Sequence, residues 1–158
     1  MYDLVINNGL IVDGTGSPPY IGNIGILNKR INTISLTPLD GNEIINGDGL
    51  VVSPGFIDVH THSDTSFLLD DNTLGSKIFQ GVTTEVIGNC GISFFPVPEN
   101  QEFYDLFIKY SSGTLLGVDK ISYKLNNIND YKEKFHEQQN TINCGVLIGH
   151  GTIRICSM

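Results

Sequence analysis

Basic residues are scarce in this chain. Nine Lys and Arg face 17 Asp and Glu, which leaves a formal charge of −8 at pH 7 and a pI near 4.7. Nucleic acid and anionic membrane surfaces are bound through clusters of cationic side chains, so the deficit argues against both as partners. Long apolar runs are also missing, and no stretch approaches the roughly 20 residues that a membrane helix requires. The opening Met1-Tyr2-Asp3 lacks the basic segment and apolar core of a secretory leader. Cysteine is sparse: Cys90, Cys144 and Cys156 cannot all pair within one chain, and no CxxC spacing occurs. Together these absences favour a reducing, cytoplasmic setting, where a thiol is free, catalytic or metal-bound rather than disulfide-linked.

What remains is a globular composition, 40% hydrophobic and 16% charged over 158 residues, enough for one ordinary domain or two small ones. Up to about Val52 the chain is a series of short apolar runs: Leu4-Val5-Ile6, Leu10-Ile11-Val12, Ile24 to Leu27, Ile31 to Leu36, Ile44-Ile45 and Leu50 to Val52. Asn8-Gly9, Asp13-Gly14, Asp40-Gly41, Asn46-Gly47 and Asp48-Gly49 stand between or beside them and suit tight hairpin turns. Pro18-Pro19 and Pro38 mark looser connections. Residues 1–54 therefore read as a small all-β unit.

The pattern changes at Pro54. Pro54-Gly55-Phe56-Ile57-Asp58-Val59-His60-Thr61-His62 reads as a short buried strand, on which period-two alternation points Phe56, Asp58, His60 and His62 to one side. A polar loop follows over residues 63–71, then a helical segment from Thr73 to Gly81 carrying Leu74, Ile78 and Phe79. Val82 to Ile87 is β-branched enough for a second strand, ending in Gly88-Asn89-Cys90-Gly91. Strand, helix, strand implies parallel pairing with a right-handed crossover.

Further on, Phe103, Leu106, Phe107 and Tyr110 predict a helix over 101–110 that Gly113 ends. Residues 111–127 read as a polar, irregular loop, and Asn129 is expected to cap a second helix running to about Gln139. A third strand, Cys144 to Ile148, leads into Gly149-His150-Gly151. His136 is expected to face solvent from its polar helix.

Two imidazoles at i and i+2 can reach one metal ion, or they can simply hydrogen-bond in a polar pocket. Cys90 lies one βα unit later, at the same expected end of the neighbouring strand, where the active sites of β/α barrels collect. It is either a third donor or a buried, inert thiol. A metal there would acidify water and polarise a carbonyl, the chemistry of amide hydrolysis. Asp58 shares the inward face, either orienting a histidine or sitting in a polar layer.

Asp3 to Gly9, Val12-Asp13-Gly14-Thr15-Gly16, Pro54 to His62, Gln80-Gly81-Val82-Thr83-Thr84, Gly88-Asn89-Cys90-Gly91 and Gly149-His150-Gly151-Thr152-Ile153-Arg154 together resemble the N-acyl-D-amino-acid deacylases, the D-aminoacylase branch of the amidohydrolase superfamily. The opening and the H-x-H strand are shared with dihydroorotases and hydantoinases. The two later motifs are more specific to the deacylase branch. The resemblance implies Zn2+-dependent hydrolysis of an N-acyl-D-amino acid to a carboxylate and a D-amino acid, with one or two ions in the complete enzyme. It assigns metal ligation to His60, His62 and Cys90, and leaves Asp58, Asn89, His150 and Arg154 as supporting or substrate-contacting candidates.

The fold implied is α/β: a β-sandwich portion over 1–54, then the first three β/α units of an incomplete (β/α)8 barrel over 55–158. A complete barrel needs at least about 200 residues. Further ligands and the general base come from later strands in that family, so no catalytic residue is assigned, and the chain alone is expected to be inactive and to hold zinc weakly. Exposed barrel edges are expected to promote self-association. The competing readings are another amidohydrolase, such as a hydantoinase-like cyclic amidase, and a non-catalytic truncated subunit.

Overall fold

The computed structural model describes residues 1–69 and 75–158, and its contacts divide into two compact units, Met1–Pro54 and Gly55–Met158. The first is a five-stranded mixed sheet built from β1 (Tyr2–Ile11), β2 (Tyr20–Leu27), β3 (Arg30–Ser35), β4 (Gly41–Asn46) and β5 (Val51–Val52). β1 is its axis, antiparallel to β2 and parallel to both β4 and β5. Val5, Ile11 and Ile24 are buried, as the alternation in these runs requires.

Two turn assignments change. Asn8-Gly9 does not turn a hairpin: it is a β-bulge inside a continuous β1, with Asn8 at φ 62° and a register shift between Ile6 and Gly9. Buried Asn23 holds the bulge, accepting from the Asn8 N–H at 2.9 Å while its own amide donates to Ser35 O at 3.0 Å. The hairpin joining β2 to β3 is made instead by Asn28-Lys29, both at positive φ (52° and 62°). Those signs match the right-handed strand twist, though lysine is an unusual choice there. The Asn28 N–H gains a carboxylate acceptor in Asp3, at 2.7 Å.

The second unit has a parallel three-stranded sheet, β6 (Phe56–Asp58), β7 (Val82–Ile87) and β8 (Asn143–Val146), in the order β6-β7-β8. Four helices accompany it: α1 (Gly75–Ile78), α2 (Gln101–Ser111), α3 (Ile128–Glu137) and α4 (His150–Ser157). The predicted helix start at Thr73, and Leu74 with it, lie outside the described residues. Gly81 at φ 82° ends that connection as expected, and β7 occupies the predicted range. No helix among the described residues is long and apolar enough to cross a membrane.

β6 is shorter than the sequence suggests and is not buried. It stops at Asp58, and Phe56, Ile57 and Val59 are all more than half exposed. The reason is local: among the described residues β6 pairs only with β7, and the apolar core of this unit forms elsewhere, around Phe67, Phe94, Phe95, Phe107 and Tyr131. Residues 111–127 contribute to that core, which corrects their reading as a polar loop. They remain irregular, with a single 3-10 turn at Val118–Lys120, yet Leu115, Val118, Ile121 and Leu125 are buried. The α3 cap is Asn127 rather than Asn129, its side-chain oxygen accepting from the N–H groups of residues 129 and 130. Gly149-His150-Gly151 opens α4, with Gly149 at its N-cap.

Candidate metal centre

His60 and His62 lie just beyond the end of β6. Thr61, between them, is buried and turned the other way: its N–H and its hydroxyl both donate to Val86 O, each at 3.1 Å. The alternation expected of a strand therefore survives past the strand's end, pinned on one side by Thr61 and presenting an imidazole pair on the other. The two rings stand edge to face, with centroids 5.7 Å apart. Asp58 accepts the His60 backbone N–H at 3.2 Å, so it braces the main chain of His60 rather than its ring.

Cys90 enters from the end of β7 on a 3-10 turn, Asn89–Gly91. Gly88 and Gly91 take left-handed φ values of 80° and 79°, and Cys90 itself sits at φ 55°. A non-glycine residue in that region is held at a cost of about 1–2 kcal/mol and persists only where its surroundings enforce it. Asn89 is one such constraint, its amide donating to Val86 O at 2.8 Å and to Thr61 O at 3.4 Å. The result brings Cys90 Sγ to 3.1 Å from His60 Nε2 and leaves the thiol exposed, not sealed in the core.

One donor atom from each of His60, His62 and Cys90 lies within 4.8 Å of the others, the one such three-residue group among the described residues. Two imidazoles and a thiolate are a zinc-type donor set, and bond lengths of about 2.0–2.1 Å to nitrogen and 2.3 Å to sulfur suit donors spaced this closely. His62 adds a second sign of fit. Its Nδ1 is buried and has no hydrogen-bond partner among the described residues. Burial, and then the neighbouring His60, hold its pKa below the ordinary imidazole value, which favours the neutral, ligating form.

Around this group lie residues that sequence reasoning passed over. Glu85 is fully buried, with Lys77 Nζ 2.9 Å from its Oε1 and 3.4 Å from Asp58 Oδ2. A lone acid in the apolar run Val82 to Ile87 was the available signal. Asp64 is also buried, and burial pushes its carboxyl up to about 7 against the pull of the Gly88 and Phe94 backbone N–H groups. Cys144 faces inward, its thiol pushed up to about 12 by burial and then by Asp64 and Glu85, so it stays protonated. His150 and Arg154 are exposed on α4 and outside the His–His–Cys group, and His136 is exposed on α3.

Residues 43–153 match the amidohydrolase family. The chain is 34% identical to a D-aminoacylase and 32% identical to an N-acyl-D-glutamate deacylase, both of Alcaligenes xylosoxydans xylosoxydans, over 99% of its own length. It spans only 31% and 30% of those two proteins. Among solved structures it superposes on the N-acyl-D-glutamate deacylase of Bordetella bronchiseptica, crystallised with zinc and a phosphonate inhibitor, with a TM-score of 0.78 at 31% identity, covering 99% of this chain and 31% of that one. A D-aminoacylase structure gives 0.79 at 32% identity, covering all of this chain and 32% of the other. A match over most of the sequence, with a histidine pair and a cysteine brought together as a donor group, places the chain in the amidohydrolase family.

Proposed function

We propose that the chain forms the N-terminal part of a zinc-dependent N-acyl-D-amino-acid deacylase, with His60, His62 and Cys90 as metal ligands. The observation that carries the reading is the approach of His60 Nε2 and Cys90 Sγ to 3.1 Å from two different strands. A zinc ion there would polarise the substrate's amide carbonyl and activate water for attack on it. The surrounding residues hold the ligands in place. Thr61 pins the loop between the histidines, Asp58 anchors the His60 main chain, and Asn89 links the histidine loop to the cysteine turn. In this reading residues 1–54 belong to a β-sandwich and residues 55–158 to an incomplete (β/α)8 barrel, whose remaining strands would supply the general base.

N-acyl-D-glutamate and N-acyl-D-aspartate deacylases among the relatives support a small N-acyl-D-amino acid as substrate. Three free thiols fit a reducing compartment such as the cytoplasm. The test is metal content together with turnover. After gel filtration the 158-residue chain should carry less than one equivalent of zinc and should not hydrolyse N-acetyl-D-methionine, whereas a version that includes the remaining barrel strands should retain at least one equivalent and hydrolyse it. A stoichiometric ion kept through dialysis against a mild chelator, or turnover by the short chain, would overturn the partial-site reading.

A further inference from the structure

The Cys90 turn is held from a second side, by the start of α4. Thr152 and Ser93 are both fully buried and bonded reciprocally: the Ser93 N–H donates to Thr152 Oγ1 at 3.0 Å, and that hydroxyl donates to Ser93 O at 3.0 Å. Ser93 Oγ accepts from the Gly149 N–H at 2.9 Å and donates to Phe95 O at 2.6 Å. Each hydroxyl both donates and accepts, so neither is left unpartnered in its buried setting. Contact is close enough to demand glycine. A Cβ on Gly149 would stand 2.5 Å from Gly91 O and 2.6 Å from Ser93 N, and one on Gly151 would meet Gly91 O at 2.9 Å and collide with the Tyr110 hydroxyl. Just before α4, a Cβ on Gly88 would run into Leu147 O.

Residues 147–152 thus wrap the turn that carries Cys90, and the turn needs wrapping. Three left-handed residues in four, one of them not glycine, do not persist unaided. Inside the turn itself only the Ile92 N–H to Asn89 O bond, at 2.9 Å, closes the loop.

We propose that Thr152, acting through Ser93, is a positioning residue that keeps the Cys90 turn in its left-handed form, so that Sγ is presented to the metal beside His60. Thr152 touches neither metal nor substrate. Groups that hydrogen-bond a ligand directly are worth about 10–100-fold in metal affinity, and Thr152, one step further out, is expected at the lower end of that range. The proposal rests on Cys90 being a ligand, so its test has one arm with metal and one without.

The variants are Thr152→Val, which keeps the shape and removes the hydroxyl, Thr152→Ser, which keeps the hydroxyl, and Thr152→Ala, which removes the hydroxyl with less bulk and serves if the valine variant does not fold. In the metal-free 158-residue chain, hydrogen exchange should quicken at least tenfold at the Ile92 amide in Thr152→Val and in Thr152→Ala. Amides of β7 and β8 should keep their rates, and Thr152→Ser should match the parent. Cobalt(II) titration, read by thiolate-to-cobalt charge-transfer absorption, should show affinity about tenfold weaker in Thr152→Val and Thr152→Ala and at the parent value in Thr152→Ser. Unchanged Ile92 exchange, or acceleration spread evenly over residues 55–158, overturns the positioning role whatever cobalt does. Selective loosening of the turn in a chain that gives no thiolate band leaves the clamp standing and removes the metal reading alone.

Discussion

Cys90 and Cys144 show how position decides what a thiol can do. Cys90 is exposed beside an imidazole, while Cys144 is partly buried near two carboxylates that disfavour its ionised form. Cys90→Ala should therefore weaken cobalt or zinc binding at least tenfold in a competition titration, and Cys144→Ala should leave it within a factor of about two. Equal losses from both would mean that the thiol at 90 is not a ligand. The grouping of His60, His62 and Cys90 was legible because H-x-H and a glycine-flanked cysteine are local signals. Ser93 and Thr152 were harder to see, since each gains its meaning from the other, 59 residues away in sequence.

Elements were readable where one local rule governed them. β7 follows from its β-branched run and α2 from its helical spacing, capped by Asn100. The rule failed where tertiary contact overrode it. Asn8-Gly9 carries a hairpin signal but lies in a strand that β4 and β5 continue to pair, so it bulges instead. Asn28-Lys29 carries a weak signal yet makes the turn, with lysine held at a φ that glycine adopts freely. Lys29→Gly should raise stability by about 0.5–1 kcal/mol, read as a higher denaturant midpoint for the sheet of the first unit.

Another element-scale expectation concerns Lys77, on α1, which meets acids from β6 and β7. Burial alone would lower its pKa, but the hydrogen bonds and charges of Glu85 and then Asp58 outweigh that and hold it above the ordinary lysine value of 10.5. A cation whose folded pKa is raised contributes stability that is complete below its unfolded pKa and fades as pH climbs through the folded one. Urea midpoints should thus be insensitive to this group from pH 7 to 9 and should drop above about pH 10.5. Lys77→Met should remove that step and cost about 1–3 kcal/mol at pH 7, because the buried Glu85 carboxyl loses its 2.9 Å partner. A variant whose alkaline drop matches the parent's would show that the step belongs to other groups.

For the whole molecule, exposed apolar surface bears on the self-association expected from open barrel edges. Phe56, Ile57 and Val59 at β6, Leu147 and Ile148 after β8, and Phe79 are all open. Soluble monomers rarely show such patches without a use for them, and a strand with one unpaired side invites another. The chain should associate reversibly, its sedimentation coefficient rising with concentration, and Ile57→Lys with Val59→Lys should shift it toward monomer. Concentration-independent sedimentation of the parent chain would rule this out. Composition gave no warning, because 40% hydrophobic residues is ordinary. What differs is where those residues sit.

One atom in the metal centre bears on which substitutions the site can absorb. Val86 O accepts from the Thr61 N–H, the Thr61 hydroxyl and the Asn89 amide, so the seam between the histidine loop and the cysteine turn is a peptide carbonyl. No amino-acid replacement at position 86 deletes that acceptor. Saturation mutagenesis should find position 86 permissive toward other strand-forming side chains, while Thr61 and Asn89 accept few replacements. The join between the two ligand loops is thereby insulated from point mutation at the residue that supplies it.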